Sequence, residues 1–237
     1  LGETTDTQDA TGTVLARCAT DSVTPEAIHA AVGRFRGPIE QVPPMYSAVK
    51  VGGVPLYKSA RAGKTIARNA RTIVIHTLEV EGIQGRDVTL RIVCSKGTYV
   101  RTLCADIGAV LGVGGHMLAL ERRRVGPLTI DQALTVDEVV TRHALGRLGD
   151  DLLSLDRALD QLGIAVVDEQ TADHVRHGAP VPADKILRWE WAADVKLGSQ
   201  APVRIHDTEG CLVAIGKCPD NSGGVLKVEK VLIDQDV

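Results

Sequence analysis

Within one short stretch the period of the apolar residues changes, and that change limits the folds open to this chain. Val88, Leu90, Ile92 and Cys94 alternate with Thr89, Arg91 and Val93, the two-residue period of a strand with one buried face. Ser95-Lys96-Gly97 supplies a turn. From Val100 the spacing is helical: Val100, Leu103, Cys104, Ile107 and Leu111 share a face, Tyr99 and Arg101 fall in the first turn, and Gly112 stops the helix. A strand feeding an amphipathic helix calls for a sheet with helices packed on it. The β-branched run Ile73–Val80 predicts a second strand, and Thr13–Ala16 a short one. Thr24 as N-cap, Pro25 at the first helical position and Glu26 in the first turn predict another helix. Ile28, Ala31, Val32 and Phe35 form its apolar stripe, and Gly37-Pro38 its end.

Beyond these elements, acidic helical material is expected from about Val136 to Leu162. Composition changes after Gly163. His177-Gly-Ala-Pro-Val181 reads as a turn, and Val203–Ile205, Leu212–Ile215 and Val225–Ile233 as short strands. The domains expected are therefore 1–162 and a small β-rich tail, 163–237. Aromatic residues make up only 3% of the chain, so aliphatic side chains must fill both cores. No apolar run approaches the roughly 18 residues of a membrane helix. Five scattered cysteines make no disulfide framework, so the expected compartment is a reducing cytoplasm. The chain opens at Leu1 in what reads as a strand-to-turn passage, so the expectation is the later part of a longer protein.

Charge is unevenly spread. Gln41–Leu78 contains no Asp or Glu but holds Lys50, Lys58, Arg61, Lys64, Arg68 and Arg71, a local charge of +6. The other 21 cations face 30 acids, leaving −9 elsewhere. Tyr46 and Tyr57 sit among the cations. Such a stretch is either a solvated loop or an arm for a polyanion, with cations on phosphates and aromatics stacked on bases. Like charges without acidic partners repel, which favours the arm.

The turn before Val100 brings free N–H groups to a helix start, which suits an anion and places Lys96 beside it. Arg101 opposes the helix dipole there. It needs a carboxylate or phosphate partner, or is a surface ion pair. Arg122, Arg123 and Arg124 form a solvated face or extend a basic track. No Cys-x-x-Cys, His-x-x-x-His or glycine-rich phosphate loop occurs, so neither a metal nor a nucleotide cofactor is expected. Cys94 and Cys104 fall on apolar faces and read as inert core thiols rather than nucleophiles.

Four segments carry a resemblance: Leu1-Gly-Glu-Thr-Thr-Asp-Thr-Gln-Asp-Ala-Thr-Gly12; Val42-Pro-Pro-Met-Tyr-Ser-Ala-Val-Lys50; Cys94-Ser-Lys-Gly-Thr-Tyr-Val-Arg-Thr102; and Gly112-Val-Gly-Gly-His116 with Leu120-Glu-Arg122. In order and spacing they resemble the bacterial tRNA pseudouridine-55 synthases (tRNA pseudouridine synthase B family) over residues 1 to about 136. The tail is similar to the small β-barrel-like, PUA-like RNA-binding domain that ends many of these enzymes.

The resemblance implies an α+β fold, a mixed and mainly antiparallel sheet core with flanking helices. It implies isomerisation of one T-loop uridine of tRNA to pseudouridine after base flipping. It implies no cofactor, no membrane, and a monomer acting on the T-arm stem-loop. By motif position Arg101 would orient the nucleophilic Asp, and Tyr99 and Leu120 would line the uridine pocket. The 44–72 stretch would be an insertion clamping the RNA, with Tyr46, Lys50, Tyr57, Lys58, Arg61, Lys64, Arg68 and Arg71 as contacts, joined by Lys96 and Arg122. The family's Gly-His-x-Gly-x-Leu-Asp-Pro motif, which carries the nucleophile, does not occur in this sequence and is expected upstream of it. Asp6 and Asp9 read as turn residues, not substitutes. The rival class is a non-catalytic RNA-binding module.

Overall fold

The computed structural model describes residues 1–190, 201–218 and 224–232. The chain divides into two compact units, Leu1–Glu121 and Arg122–Val237.

In the first unit the two expected strands, Ile73–Val80 and Val88–Cys94, are present, longer than their apolar runs, and form a hairpin. Arg71–Gln84 pairs antiparallel with Asp87–Cys94. Gly85, at φ +59°, makes the tight turn between them. A third strand, Gly37–Gln41, lies on the other side of Arg71–Gln84, with Gly37 opposite Ile75 and Gln41 opposite Arg71. Helices Pro25–Gly33 and Val100–Val110 share one core with this sheet, built on Ile28, Val32, Ile73, Ile75, Leu103 and Ile107. Each such side chain contributes roughly 1.5–3 kcal/mol on leaving water.

The first helix starts as read: the Thr24 hydroxyl accepts from Ala27 N at 3.2 Å, and Pro25 opens the first turn. Its end differs. The helix closes at Gly33, and Gly37-Pro38 begins a strand instead of marking a stop. Phe35, read as the last residue of the stripe, still packs on the core from the connection. Tyr99 is the N-cap of the second helix, not part of its first turn.

A short ribbon, Glu3–Thr5 with Val14–Arg17, completes the unit together with residues 112–117. That segment threads between the helix and the ribbon. Gly114 N donates to Gly108 O at 2.9 Å, and Gly114 O accepts from Gly2 N at 3.0 Å. Ala10 N donates to Met117 O at 2.9 Å, and Met117 N to Gln8 O at 3.1 Å. A side chain at Gly108 would collide with the backbone of Gly114 and Gly115, so this crossing needs glycine.

The second unit carries a five-stranded sheet in the order Ile186–Glu190, Gly163–Val167, Pro202–His206, Leu212–Lys217, Lys227–Val231. Gly163–Val167 and Pro202–His206 run parallel and the other pairs antiparallel. The barrel-like tail expected from the sequence is thus, among the described residues, an open sheet with no closing pair between its edge strands. Helix Glu169–Arg176 covers it. Neither Gly163–Val167 nor Ile186–Glu190 was among the expected elements. The far end of the Val225–Ile233 strand lies outside the described residues.

The acidic stretch before the sheet is broken into helices Val136–Ala144 and Leu155–Ala158 with a 3-10 turn, Leu148–Asp151. Buried Arg204 ties this stretch to the sheet, donating to Asp156 Oδ1 at 2.9 Å and to Leu162 O at 3.0 Å. The 162/163 boundary lies within this unit.

Candidate active site

The start of helix Val100–Val110 is fixed from several sides. Ser95 binds back to the sheet: its N donates to Val74 O at 2.8 Å, and its Oγ accepts from Val74 N at 3.0 Å. The Thr98 hydroxyl donates to Ser95 O at 2.9 Å, and Gly97 takes the left-handed turn at φ +85°. Tyr99 N donates to Gln41 Oε1 at 2.8 Å, and Gln41 Nε2 donates to Tyr99 O at 3.1 Å. Gln41 is only 3% exposed. Sequence reasoning missed it, because its partner lies 58 residues away and is a backbone group, which leaves no side-chain motif.

Arg101 follows from this start. The sequence reading asked for an anionic partner; the guanidinium instead donates to the carbonyl oxygen of Tyr46 and lies 5.8 Å from the centre of the Tyr99 ring. Tyr46, Tyr99 and Arg101 therefore come together. Asp9 is a carboxylate that feels the Arg101 charge. It is held below the usual carboxylate range first by the backbone N–H of Thr11, with its hydroxyl and the charges of Arg101 and His116 adding. Asp6 accepts from Thr13 N at 2.8 Å, so both acids brace the turn as read.

Most of the 44–72 stretch hangs off the sheet as an arm, but Arg71 and Thr72 belong to the strand Arg71–Gln84. The arm leaves the sheet at Gln41 and returns at Arg71, its cross-strand partner. Lys50–Val51 and Val54–Pro55 form a two-residue hairpin over Gly52 and Gly53, both at positive φ. Helix Leu56–Arg61 follows, anchored by fully buried Leu56. Arg61 lies 5.6 Å from the Tyr57 ring centre, a second cation–aromatic pair. Lys50, Lys58, Arg61, Lys64 and Arg71 are exposed; Arg68 is half-buried and donates to Pro43 O at 3.2 Å. Lys96 is exposed in the turn, and Leu120 is 53% exposed. Arg122 belongs to the second unit.

Two clefts meet at Arg68. One, of about 290 Å³, is lined by Gln8, Glu40, Thr102 and Asp106 with Val42, Pro43 and Pro44. Gln8 adopts φ +61°, unusual for a non-glycine residue, and accepts from the Thr102 hydroxyl at 2.7 Å. Burial pushes the Asp106 carboxyl up. The other cleft, of about 270 Å³, gathers Lys50, Arg68, Asn69 and Arg71 with no acid on its wall, as an anion site requires. Burial also pushes the Cys104 thiol to about 11, which keeps it an unreactive thiol at neutral pH.

Comparison with known proteins gives a consistent result. The model of the TruB family pseudouridylate synthase N-terminal domain matches residues 1–100, and that of the tRNA pseudouridylate synthase B C-terminal domain matches 101–166. tRNA pseudouridine synthase B of Pseudomonas aeruginosa (strain UCBPP-PA14) is 39% identical over 224 residues, 93% of this chain and 70% of the relative. That of Ralstonia pickettii (strain 12J) is 40% identical over 238 residues, 98% of this chain and 72% of the relative. Among solved structures, a chain of a Cbf5–Nop10–Gar1 complex aligns with TM-score 0.68 at 29% identity. A chain of an H/ACA RNP bound to a substrate RNA containing 2′-deoxyuridine aligns with TM-score 0.64 at 26% identity. In both cases 90% of this chain is covered, and it spans 63% of the solved chain.

Proposed function

The chain belongs to the TruB family of pseudouridylate synthases, and we propose from that premise that it serves the isomerisation of a T-loop uridine of tRNA to pseudouridine. One observation carries the reading beyond family membership: Tyr99 and Arg101, at the start of a helix, meet Tyr46 at the root of an acid-free arm. The arm grips phosphates of the stem-loop while the target base leaves its stack and enters beside Tyr99. The C1′–N1 bond breaks, the uracil turns, a C1′–C5 bond forms, and the C5 hydrogen leaves as a proton. An aspartate nucleophile starts this sequence. We place that aspartate upstream of Leu1, since the family's Asp-bearing motif does not occur in residues 1–237. Arg101 then orients its carboxylate. Leu120 closes the base pocket, and Lys96 and Arg122 extend the basic track.

Tritium release from a T-arm stem-loop labelled at uridine C5 tests each part. A polypeptide that carries the Asp-bearing motif ahead of Leu1 should release tritium; silence there overturns the proposal. Residues 1–237 alone should bind the stem-loop and release none. Release from pure 1–237 protein would put the nucleophile within this chain, with Asp6, Asp9 and Asp106 the first to replace by Asn.

A further inference from the structure

We propose that Gln41 is a positioning residue that couples the seating of RNA on the arm to the placement of Tyr99 and Arg101, an inference that rests on the function proposed above. Gln41 is the last residue of its strand and pairs with Arg71, so residues 42–70 hang between two neighbouring backbone positions. Its side-chain amide meets both backbone groups of Tyr99 as a two-bond fork, at 2.8 and 3.1 Å. Tyr99 has no side-chain cap of its own, and its carbonyl also accepts the first helical bond, from Leu103 N at 3.1 Å. The fork therefore fixes the peptide at which the helix begins.

Two further ties bring the root of the arm to the same place. Arg101 donates to the Tyr46 carbonyl. Arg68, on the returning limb, donates to Pro43 O at 3.2 Å. A shift of the arm's root thus reaches Tyr99 through the fork and Arg101 through the Tyr46 carbonyl. The position demands an amide. Only a group with one donor and one acceptor satisfies an N–H and a C=O side by side. Burial at 3% exposure denies water the chance to substitute. A carboxylate would set an acceptor against Tyr99 O, and a thioether would fill the space with no bond.

Backbone hydrogen exchange reads this coupling without relying on turnover. The native polypeptide would be compared free and saturated with T-arm stem-loop, as wild type, Gln41→Met and Gln41→Glu. In the wild type, RNA should slow exchange both in the arm (44–68) and at the helix start (99–104). In each variant the arm should stay protected and Kd rise less than about threefold. RNA-induced protection at 99–104 should fall at least tenfold, and kcat for tritium release should fall tenfold or more. Lys64→Ala should do the reverse, weakening Kd while the helix start still responds to bound RNA. Retained protection at 99–104 in the two variants overturns the inference. So does parallel loss in arm and helix. If both variants fail to fold, the wild type still decides: RNA that protects the arm without slowing exchange at 99–104 overturns it. A wild type that binds no stem-loop overturns the proposed function itself, which is a separate result.

Discussion

Arg101 holds a backbone carbonyl and lies against an aromatic face at the same time. A lysine ammonium has no planar fork and reaches such a geometry poorly. Arg101→Lys should therefore cost turnover at least tenfold more than it costs tRNA binding, measured as kcat against Kd; equal losses would make Arg101 a plain phosphate contact. Asp9 and Asp106 give opposite signs with pH. Asp9 has a folded pKa below its unfolded one, so its contribution is present above the ordinary carboxylate range and lost as pH falls through the folded value. Asp9→Asn should lower stability at pH 7 by up to about 1 kcal/mol, with the penalty vanishing in acid. Asp106 has a raised pKa, so its ionised form costs stability above that pKa and nothing once it is protonated. Asp106→Asn should add less than about 1 kcal/mol at pH 7, the group being half-exposed and screened, and nothing at low pH. Urea midpoints from pH 3 to 7 check both; matching signs would sink the argument.

Helix Val100–Val110 and the segment after it are held at glycine distance. Gly108→Ala drives a methyl into the backbone of Gly114 and Gly115 and should cost about 3 kcal/mol. Gly33→Ala meets nothing within 4 Å at the end of its helix and should add about 0.5 kcal/mol. Thermal melts of the two variants should move in opposite directions. Elements of this kind were legible where the cause is local. Thr24 and Pro25 announced their helix because a cap is chemistry between near neighbours. Its end was misread because Gly37-Pro38 fits both a helix stop and a strand start, and pairing with Val74 and Ile75, far along the chain, selects the second. Arg101 was legible as a residue needing a partner. That the partner is the Tyr46 carbonyl was not, since a main-chain oxygen exists at every position and marks none. The tail's sheet was half-read for a related reason: Gly163–Val167 is a parallel neighbour of Pro202–His206, so buried that its alternation is gone.

At the scale of the whole molecule, a chain of net charge −3 binds a polyanion only through a segment that carries its own positive field. Six cations would give a log K against log salt slope no steeper than about −5. Arg68 is already committed to Pro43, so Lys64→Gln and Arg68→Gln should differ. Lys64→Gln should flatten the slope by just under one unit, uniformly across RNA sequences. Arg68→Gln should weaken binding by more than its slope change accounts for. Identical behaviour in a salt titration would mean that the tie to Pro43 contributes nothing. The same arm has a consequence for how such proteins diverge. Its two ends, Gln41 and Arg71, are opposite residues on neighbouring strands, about 5 Å apart whatever lies between them. Doubling the intervening length costs only about 0.6 kcal/mol in closure entropy. Residues 58–67, beyond buried Leu56 and the bond from Tyr57 N to Ser47 O at 3.0 Å, can therefore be lengthened, trimmed or exchanged by descent while the sheet registers nothing. On the function proposed above, new RNA preferences can then be grafted onto inherited chemistry as a cassette.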